Sequence, residues 1–198
     1  FRLFYAYPTH LTDDILDVIA SSPRICKYVE LPLQHASDAM LKSMRRKGDR
    51  AHIDRLIERI RTKMPDVTLR SSFIVGYPGE TEKDFQMLLD FLEEVRFDHV
   101  GIFTYSVEEG TPAASFERQL PENVKLERRS IAMELQRKIS REKNEAQIGR
   151  EVSVIVDGPS EESDLVLVAR SQRQAPDVDG VTYVANRWVD PGSMVKVR

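Results

Sequence analysis

Residues 67–85, VTLRSSFIVGYPGETEKDF, decide how the rest of the chain is read. An apolar and β-branched run over 68–75 ends in Gly76-Tyr77-Pro78-Gly79-Glu80, and a helix follows at once. Thr81 to Asp84 has the form of a capping box, and Phe85, Leu88, Leu89, Leu92 and Val95 recur at helical spacing. Two glycines at the carboxyl end of a strand let a ligand approach the backbone closely. In α/β folds that end of the sheet is where ligands sit. A tight turn serves equally as plain chain reversal, and the flanking elements discriminate between the two.

Working outward, strand and helix alternate over the first 120 residues. Strands are expected at 2–7, 28–33, 68–75 and 99–105, each short and apolar or β-branched. Between the first two lies a helix with Thr12 as N-cap and Leu11 and Leu16 as a hydrophobic staple. It directs Ile15, Leu16 and Ile19 inward and stops before Pro23. A second helix starts at Ser37 or Asp38 with Met40, Leu41 and Met44 on one side, and a third carries Ile53, Leu56, Ile57 and Ile60 and ends at Pro65. Alternating β and α elements predict parallel strands joined by right-handed crossovers. The fold class is therefore α/β, the second half of a barrel or open sheet. The chain opens without methionine on FRLFYAYP, which reads as a buried strand already in progress, so further residues are expected upstream.

From 121 to about 147 a single charge-rich helix is expected, with Ile131, Leu135 and Ile139 as a narrow apolar stripe that suits a bridge between two domains. Beyond Gly149 the pattern changes to closely spaced strands at 151–157, 164–170, 181–186 and 194–197, separated by Gly, Pro, Asp and Ser turns, which predicts a small OB-like antiparallel barrel. The expected domains are thus 1–120, a linking helix over 121–148, and 149–198.

Composition narrows the function classes. Hydrophobic residues make up 41% and charged residues 31% of 198, a globular balance, and the net charge of -3 carries no global basic footprint for nucleic acid. No apolar run reaches the length of a membrane span, no signal peptide is visible, and a lone cysteine, Cys26, fits a reducing cytoplasm.

Strand alternation puts Arg70, Ser72, Ile74 and Gly76 on one face. Ile74 could pack on an aromatic ring, Ser72 could hydrogen-bond a ligand and Arg70 could meet a carboxylate bidentately; as alternatives, Ile74 is ordinary core and Arg70 half of an internal ion pair. Pro32-Leu33-Gln34-His35-Ala36-Ser37-Asp38 also follows a strand and opens a helix, so Gln34, His35 and Ser37 offer uncharged donors and acceptors, although Ser37 also suits a plain helix cap. His35 has no second histidine or carboxylate at metal-binding spacing. Arg45-Arg46-Lys47-Gly48 reads as a solvated helix end, where cations meet the helix dipole. Tyr105 leads into SVEEGTP, another ligand-side loop.

These motifs, in this order, resemble the radical S-adenosylmethionine methylthiotransferases over essentially the whole chain. The resemblance rests on YVELPLQHASDAMLKSMRR, FIVGYPGETEKDF, YSVEEGTPAA and a terminal DLVLVARS…PGSMVKVR that looks like a TRAM domain. It implies the later strands of a partial (β/α)6 barrel that binds S-adenosylmethionine. Ser72, Ile74, Gly76 and Glu80 correspond to the superfamily's G-x-I-x-G-x-x-E strand motif near adenine, with Ser72 in place of the first glycine and Glu80 one residue late. Gln34 and Ser37 would lie on the ribose or methionine side, and Tyr105 would border adenine and the entering substrate.

Within the family, Pro32-Leu33-Gln34-His35-Ala36 matches the branch that methylthiolates an aspartate of ribosomal protein S-twelve; enzymes acting on tRNA adenosine usually read P-V-Q-S-G there. Residues 149–198 hold six Lys/Arg against eight Asp/Glu, a net of -2 that suits a basic protein partner, possible ribosome contact included, better than an RNA backbone. The resemblance implies S-adenosylmethionine and two [4Fe–4S] clusters, whose cysteines, including a C-x3-C-x2-C loop, are absent here and expected upstream of Phe1. No catalytic residue and no metal ligand is therefore expected in the chain, which alone should be inactive. In the intact enzyme a 5′-deoxyadenosyl radical would take hydrogen from the aspartate β-carbon. The alternatives are a tRNA methylthiotransferase and a non-catalytic ribosome- or RNA-binding module.

Overall fold

The computed structural model describes residues 1–163, 165–185 and 188–198. Its organising element is the strand expected from the opening motif, β2 (Thr68–Val75), which lies between β1 (Tyr28–Gln34) and β3 (His99–Thr104) in an all-parallel sheet. Glu30, Arg70 and His99 are register partners across the three strands, as are Gly101 with Ser72 and Phe103 with Ile74. Because side chains alternate, Leu69, Ser71, Phe73 and Val75 turn to one face while Arg70, Ser72 and Ile74 turn to the other. The first set is buried and the second only partly so.

The buried face is covered by α1 (Asp13–Ser21), α3 (Arg50–Lys63), α4 (Glu82–Val95) and α5 (Glu122–Glu145). Phe73 is fully buried and meets Phe91 and Phe97 edge-on at centroid distances of 6.1 and 5.8 Å, which ties the central strand to the end of α4. The capping box forms as expected: the Thr81 hydroxyl accepts from the Asp84 N–H and the Asp84 carboxylate accepts from the Thr81 N–H at 2.9 Å. Asp49 caps α3 through the His52 N–H at 2.7 Å, and the helix stops before Pro65. The short α2 (Asp38–Ser43) follows β1 and buries Met40 and Leu41.

Three expectations are corrected. Residues 2–7 do not form a strand: Leu3 makes a single parallel bridge to Val29, and Phe1 and Tyr5 are 89% and 80% exposed. The left-handed φ of 55° at Tyr5 interrupts the extended run before the 3-10 turn Pro8–His10. Ile15 faces outward, because α1 buries Leu16 and Ile19 but not the residue before them.

The third correction concerns α5, which is no bare bridge. It packs against β3 and α4 and buries Lys125, Arg128, Ala132, Gln136 and Ile139, while Ile131 is exposed. A helix this polar is buried because its polar groups find partners. Gln136 donates to the Phe97 carbonyl at 3.0 Å and Arg129 to the Ile102 carbonyl at 3.1 Å.

The carboxyl-terminal strands β4 (Val152–Pro159), β5 (Val166–Ser171), β6 (Thr182–Ala185) and β7 (Met194–Val197) form a curled antiparallel sheet in the order β6-β5-β4-β7. Val154, Val156, Leu167, Ala169 and Val184 make its core, with Ser153, Ile155 and Asp157 alternating outward. Asp164 and Asn186, at the ends of two expected strands, lie outside the described residues. The segment following β5 reaches back to the parallel sheet, where Asp179 contacts Arg70 and Arg173 contacts Asp98, both at 2.6 Å.

Replacing Phe73 by Ala removes the ring on which Phe91 and Phe97 converge, and unfolding stability should drop by about 3–5 kcal/mol. Denaturant titration followed by helical circular dichroism measures this loss.

Candidate functional site at the carboxyl end of the parallel sheet

The loops after β1, β2 and β3 meet at one end of the sheet, and a buried carboxylate joins two of them. Glu80 has a fully buried side chain and accepts the Gly76 N–H. It also pairs with His35 Nε2 at 3.1 Å and with Arg128 Nη1 at 2.9 Å. Because the Ser37 N–H donates to His35 Nδ1 at 3.0 Å, the ring proton sits on Nε2 and points at Glu80. Arg128 reaches in from α5, also donates to the Glu80 carbonyl at 3.2 Å, and extends to Glu82 at 3.2 Å. The Glu80 carboxylate is thus satisfied by a backbone amide, an imidazole and a guanidinium, as burial of a charge requires.

Ser37 stands at the N-cap of α2, but its hydroxyl donates to Asp84 rather than capping its own helix. Burial raises the Asp84 carboxyl, yet hydrogen bonds from Ser37 and Thr81 outweigh it and hold the group below its ordinary value. The loops after β1 and β2 and the start of α4 are therefore cross-linked by short polar contacts.

Gly76 has φ of 74°, and a Cβ placed there would fall 2.4 Å from the Cγ of Lys125. Only glycine permits both that backbone shape and that contact. Lys125 itself lies over the Tyr105 ring and donates to the Tyr105 carbonyl at 3.0 Å, so α5 clamps the ends of β2 and β3 together. Gln34 also has a positive φ, 75°, where the β1–β2 register shifts. Such a backbone costs a non-glycine residue about 1–3 kcal/mol.

The eight expected residues separate into three places. Ser72 and Ile74 are half-exposed on the open face, with Gly101 and the 57%-exposed Phe103 as their register partners on β3. The Phe103 ring lies over Gly101, 3.0 Å from where a Cβ would be. Gln34, Gly76 and Tyr105 border the carboxyl end of this face. The Tyr105 hydroxyl is buried; burial first, then Tyr77 and Glu108, raises its pKa, and the nearby Thr111 side chain offsets part of that rise.

Ser37 and Glu80 sit behind that rim in the buried network. Arg70 lies apart from both groups, at the amino end, with its guanidinium shared between Asp179 at 2.6 Å and Glu30 at 3.4 Å. That is the internal ion pair, and the structure gives Arg70 no path to the carboxyl-end rim.

A cavity of 660 Å³ beside the loop is lined by Met40, Pro78, Gly79, Phe116 and Arg118, among others, and by none of the eight. Sequence reasoning missed Phe103, although the alternation His99, Gly101, Phe103, Tyr105 places it opposite Ile74. Lys125 and Arg128 carry no comparable signal, for nothing local marks which face of α5 is buried.

Among the described residues no group of three or more His, Cys, Asp or Glu could hold a metal ion. No helix there is long and apolar enough to cross a membrane.

Comparison with known proteins agrees with this architecture. The Radical SAM superfamily matches residues 4–92, and the TRAM domain matches residues 148–198. A relative in Geobacter sulfurreducens, called ribosomal protein uS12 methylthiotransferase RimO, is 48% identical over 197 residues, covering all of this chain and 44% of the relative. The relative of the same name in Symbiobacterium thermophilum is 47% identical over 200 residues, covering all of this chain and 41% of its own length. The chain therefore spans less than half the length of these relatives. Among solved structures, coproporphyrinogen III oxidase HemN of Escherichia coli, a radical SAM enzyme, aligns over 92% of this chain and 50% of its own, with TM-score 0.58 and 11% identity, a likeness of fold.

Two outcomes test the network. Truncating Glu80 to Ala strands Arg128 and His35 in a dry site, and should destabilise the protein by about 3–5 kcal/mol. Asp84, with its depressed folded pKa, contributes stability that is present above the unfolded carboxyl value of about 4 and lost as pH falls through the folded value. Asp84→Asn should lower stability at neutral pH and flatten the acid limb of a stability-versus-pH curve.

Proposed function

We propose, from the premise that this chain belongs to the radical SAM methylthiotransferases and ends in a TRAM domain, that it supplies cofactor-binding strands and the TRAM domain of an enzyme acting on ribosomal protein uS12. The reaction adds a methylthio group to the β-carbon of an aspartate, in the cytoplasm. The observation that carries this reading is identity of 47–48% along the whole chain to relatives bearing that name.

The open face supports S-adenosylmethionine as the bound cofactor. Ile74 and Phe103, adjacent in register, form an apolar platform for a purine. At its carboxyl end stand the Ser72 hydroxyl, the Gln34 amide and Tyr105, polar groups that a ligand's own donors and acceptors could meet. At Gly76 the space a Cβ would take is filled by the Lys125 side chain, and Glu80 holds the backbone of the rim in shape from behind. Arg70 and Ser37 act at a remove, through the sheet floor and the α4 cap. Two [4Fe–4S] clusters are part of the proposal; Cys26 is the only cysteine of the chain, so their thiolate ligands come from the further length that the relatives possess. When bound, the cofactor and cluster supply the one-electron chemistry, and the chain's residues orient the ligand and keep water away.

The alternative substrate is tRNA, because a TRAM domain suggests RNA binding. The net charge of -2 over residues 149–198 favours a basic protein instead.

The full-length enzyme, reconstituted anaerobically and given S-adenosylmethionine and reductant, should add a methylthio mass to uS12 and none to unmodified tRNA by mass spectrometry. A gain on tRNA alone would overturn the substrate assignment. Gly76→Val in that enzyme should weaken S-adenosylmethionine binding, because the added branch meets Lys125; calorimetric affinity equal to wild type would sink the assignment of this rim.

A further inference from the structure

The amino end of the open face is closed by a loop that belongs to the TRAM fold. Asp179, between β5 and β6, has a side chain with no exposure at all. It accepts from Arg70 at 2.6 Å, from the Tyr28 hydroxyl at 2.8 Å and from the Ala175 N–H at 2.8 Å, and His99 Nδ1 stands 3.5 Å away. Tyr28 lies on β1 and Arg70 on β2, and His99 of β3 stands beside them. Around this contact, His99 Nε2 meets the Arg173 carbonyl at 2.8 Å, and Arg173 pairs with Asp98, itself bonded to the Leu69 N–H at 2.9 Å. The Tyr28 phenol is pushed far up, by burial first and then by Asp179, which keeps it a donor to the carboxylate.

We propose that Asp179 is a latch that makes the TRAM fold the floor of the parallel sheet. One carboxylate from the TRAM side neutralises Arg70 and accepts from Tyr28, joining the amino ends of β1 and β2, while the neighbouring Arg173 carbonyl accepts from His99 of β3. The positions of Ser72, Ile74 and Gly76 further along β2 then depend on a contact made at Arg70, nearer the start of the strand. Arg70 explains why the latch is needed: a guanidinium pointing into the sheet floor with Glu30 at 3.4 Å as its other carboxylate is poorly satisfied without Asp179. The carboxyl-end rim, where the cofactor is proposed to bind, is left free by the same arrangement, since the two contacts occupy opposite ends of the strands.

The test uses two probes that need no cofactor, so its failure is separable from failure of the methylthiotransferase reading. Trp188 is the sole tryptophan and sits in the TRAM fold, whereas every α-helix among the described residues lies outside it, so fluorescence and helical circular dichroism follow the two parts separately. In the wild-type chain the two thermal transitions should coincide. Asp179→Asn, which keeps the shape and removes the charge, should make the Trp188 transition precede the helical one by several degrees. It should also speed deuterium exchange of the β2 amides by about tenfold, as expected when a local unit gains its own opening reaction. Arg70→Met should do the same, and the double variant should add little to either single one. Coincident transitions with unchanged exchange in Asp179→Asn, or strictly additive effects of the two substitutions, would overturn the latch.

Discussion

A buried carboxylate has to be answered on every side, and the Glu80 side chain imposes that condition on the whole carboxyl end of the sheet. Its three partners come from the loop after β1, the loop after β2 and the second turn of α5, so those segments cannot move independently. Burial makes the contacts strong and makes the loss of any one costly. The positive φ of Gly76 and the route of Arg128 through the helical layer become comprehensible as consequences of this one requirement.

The same logic recurs at the other end of the strands with the sign of the argument unchanged. There the buried carboxylate is Asp179, and the groups that answer it lie on the floor of the open face. Between the two polar ends the face is apolar and partly open, with Ile74 and Phe103 as its centre. A ligand with an aromatic ring and several polar groups would suit such a gradient, which is the basis of the proposed nucleoside-bearing cofactor. The TRAM fold commits the loop between β5 and β6 to the parallel sheet.

Residues 67–85 told most of the fold because their constraints are local. Alternation, a turn that needs glycine, and a capping box each involve neighbours within a few positions, and β2, the loop and α4 appear where the pattern puts them. The helical stripe over Ile53–Ile60 and the alternation of the carboxyl-terminal strands were legible for the same reason. Residues 2–7 misled because an apolar extended run looks identical whether it is paired on two sides, on one, or by a single bridge. The long α5 misled in the opposite direction, since its buried residues are mostly polar and their partners lie many positions away.

What the amino acids settled by themselves was the periodicity, the capping box at Thr81 and Asp84, the position of the loops after β1 and β2 and the family resemblance, all of which depend on order along the chain. Tertiary structure alone decided which candidate faces the open surface and which is consumed as internal support. Glu80 and Arg70 look like ligand contacts in a motif, but each is closed off by a cation or carboxylate contributed from a distant segment, Arg128 in the first case and Asp179 in the second. Electrostatic partners of buried charges are chosen by proximity in space, and a linear pattern has no term for that.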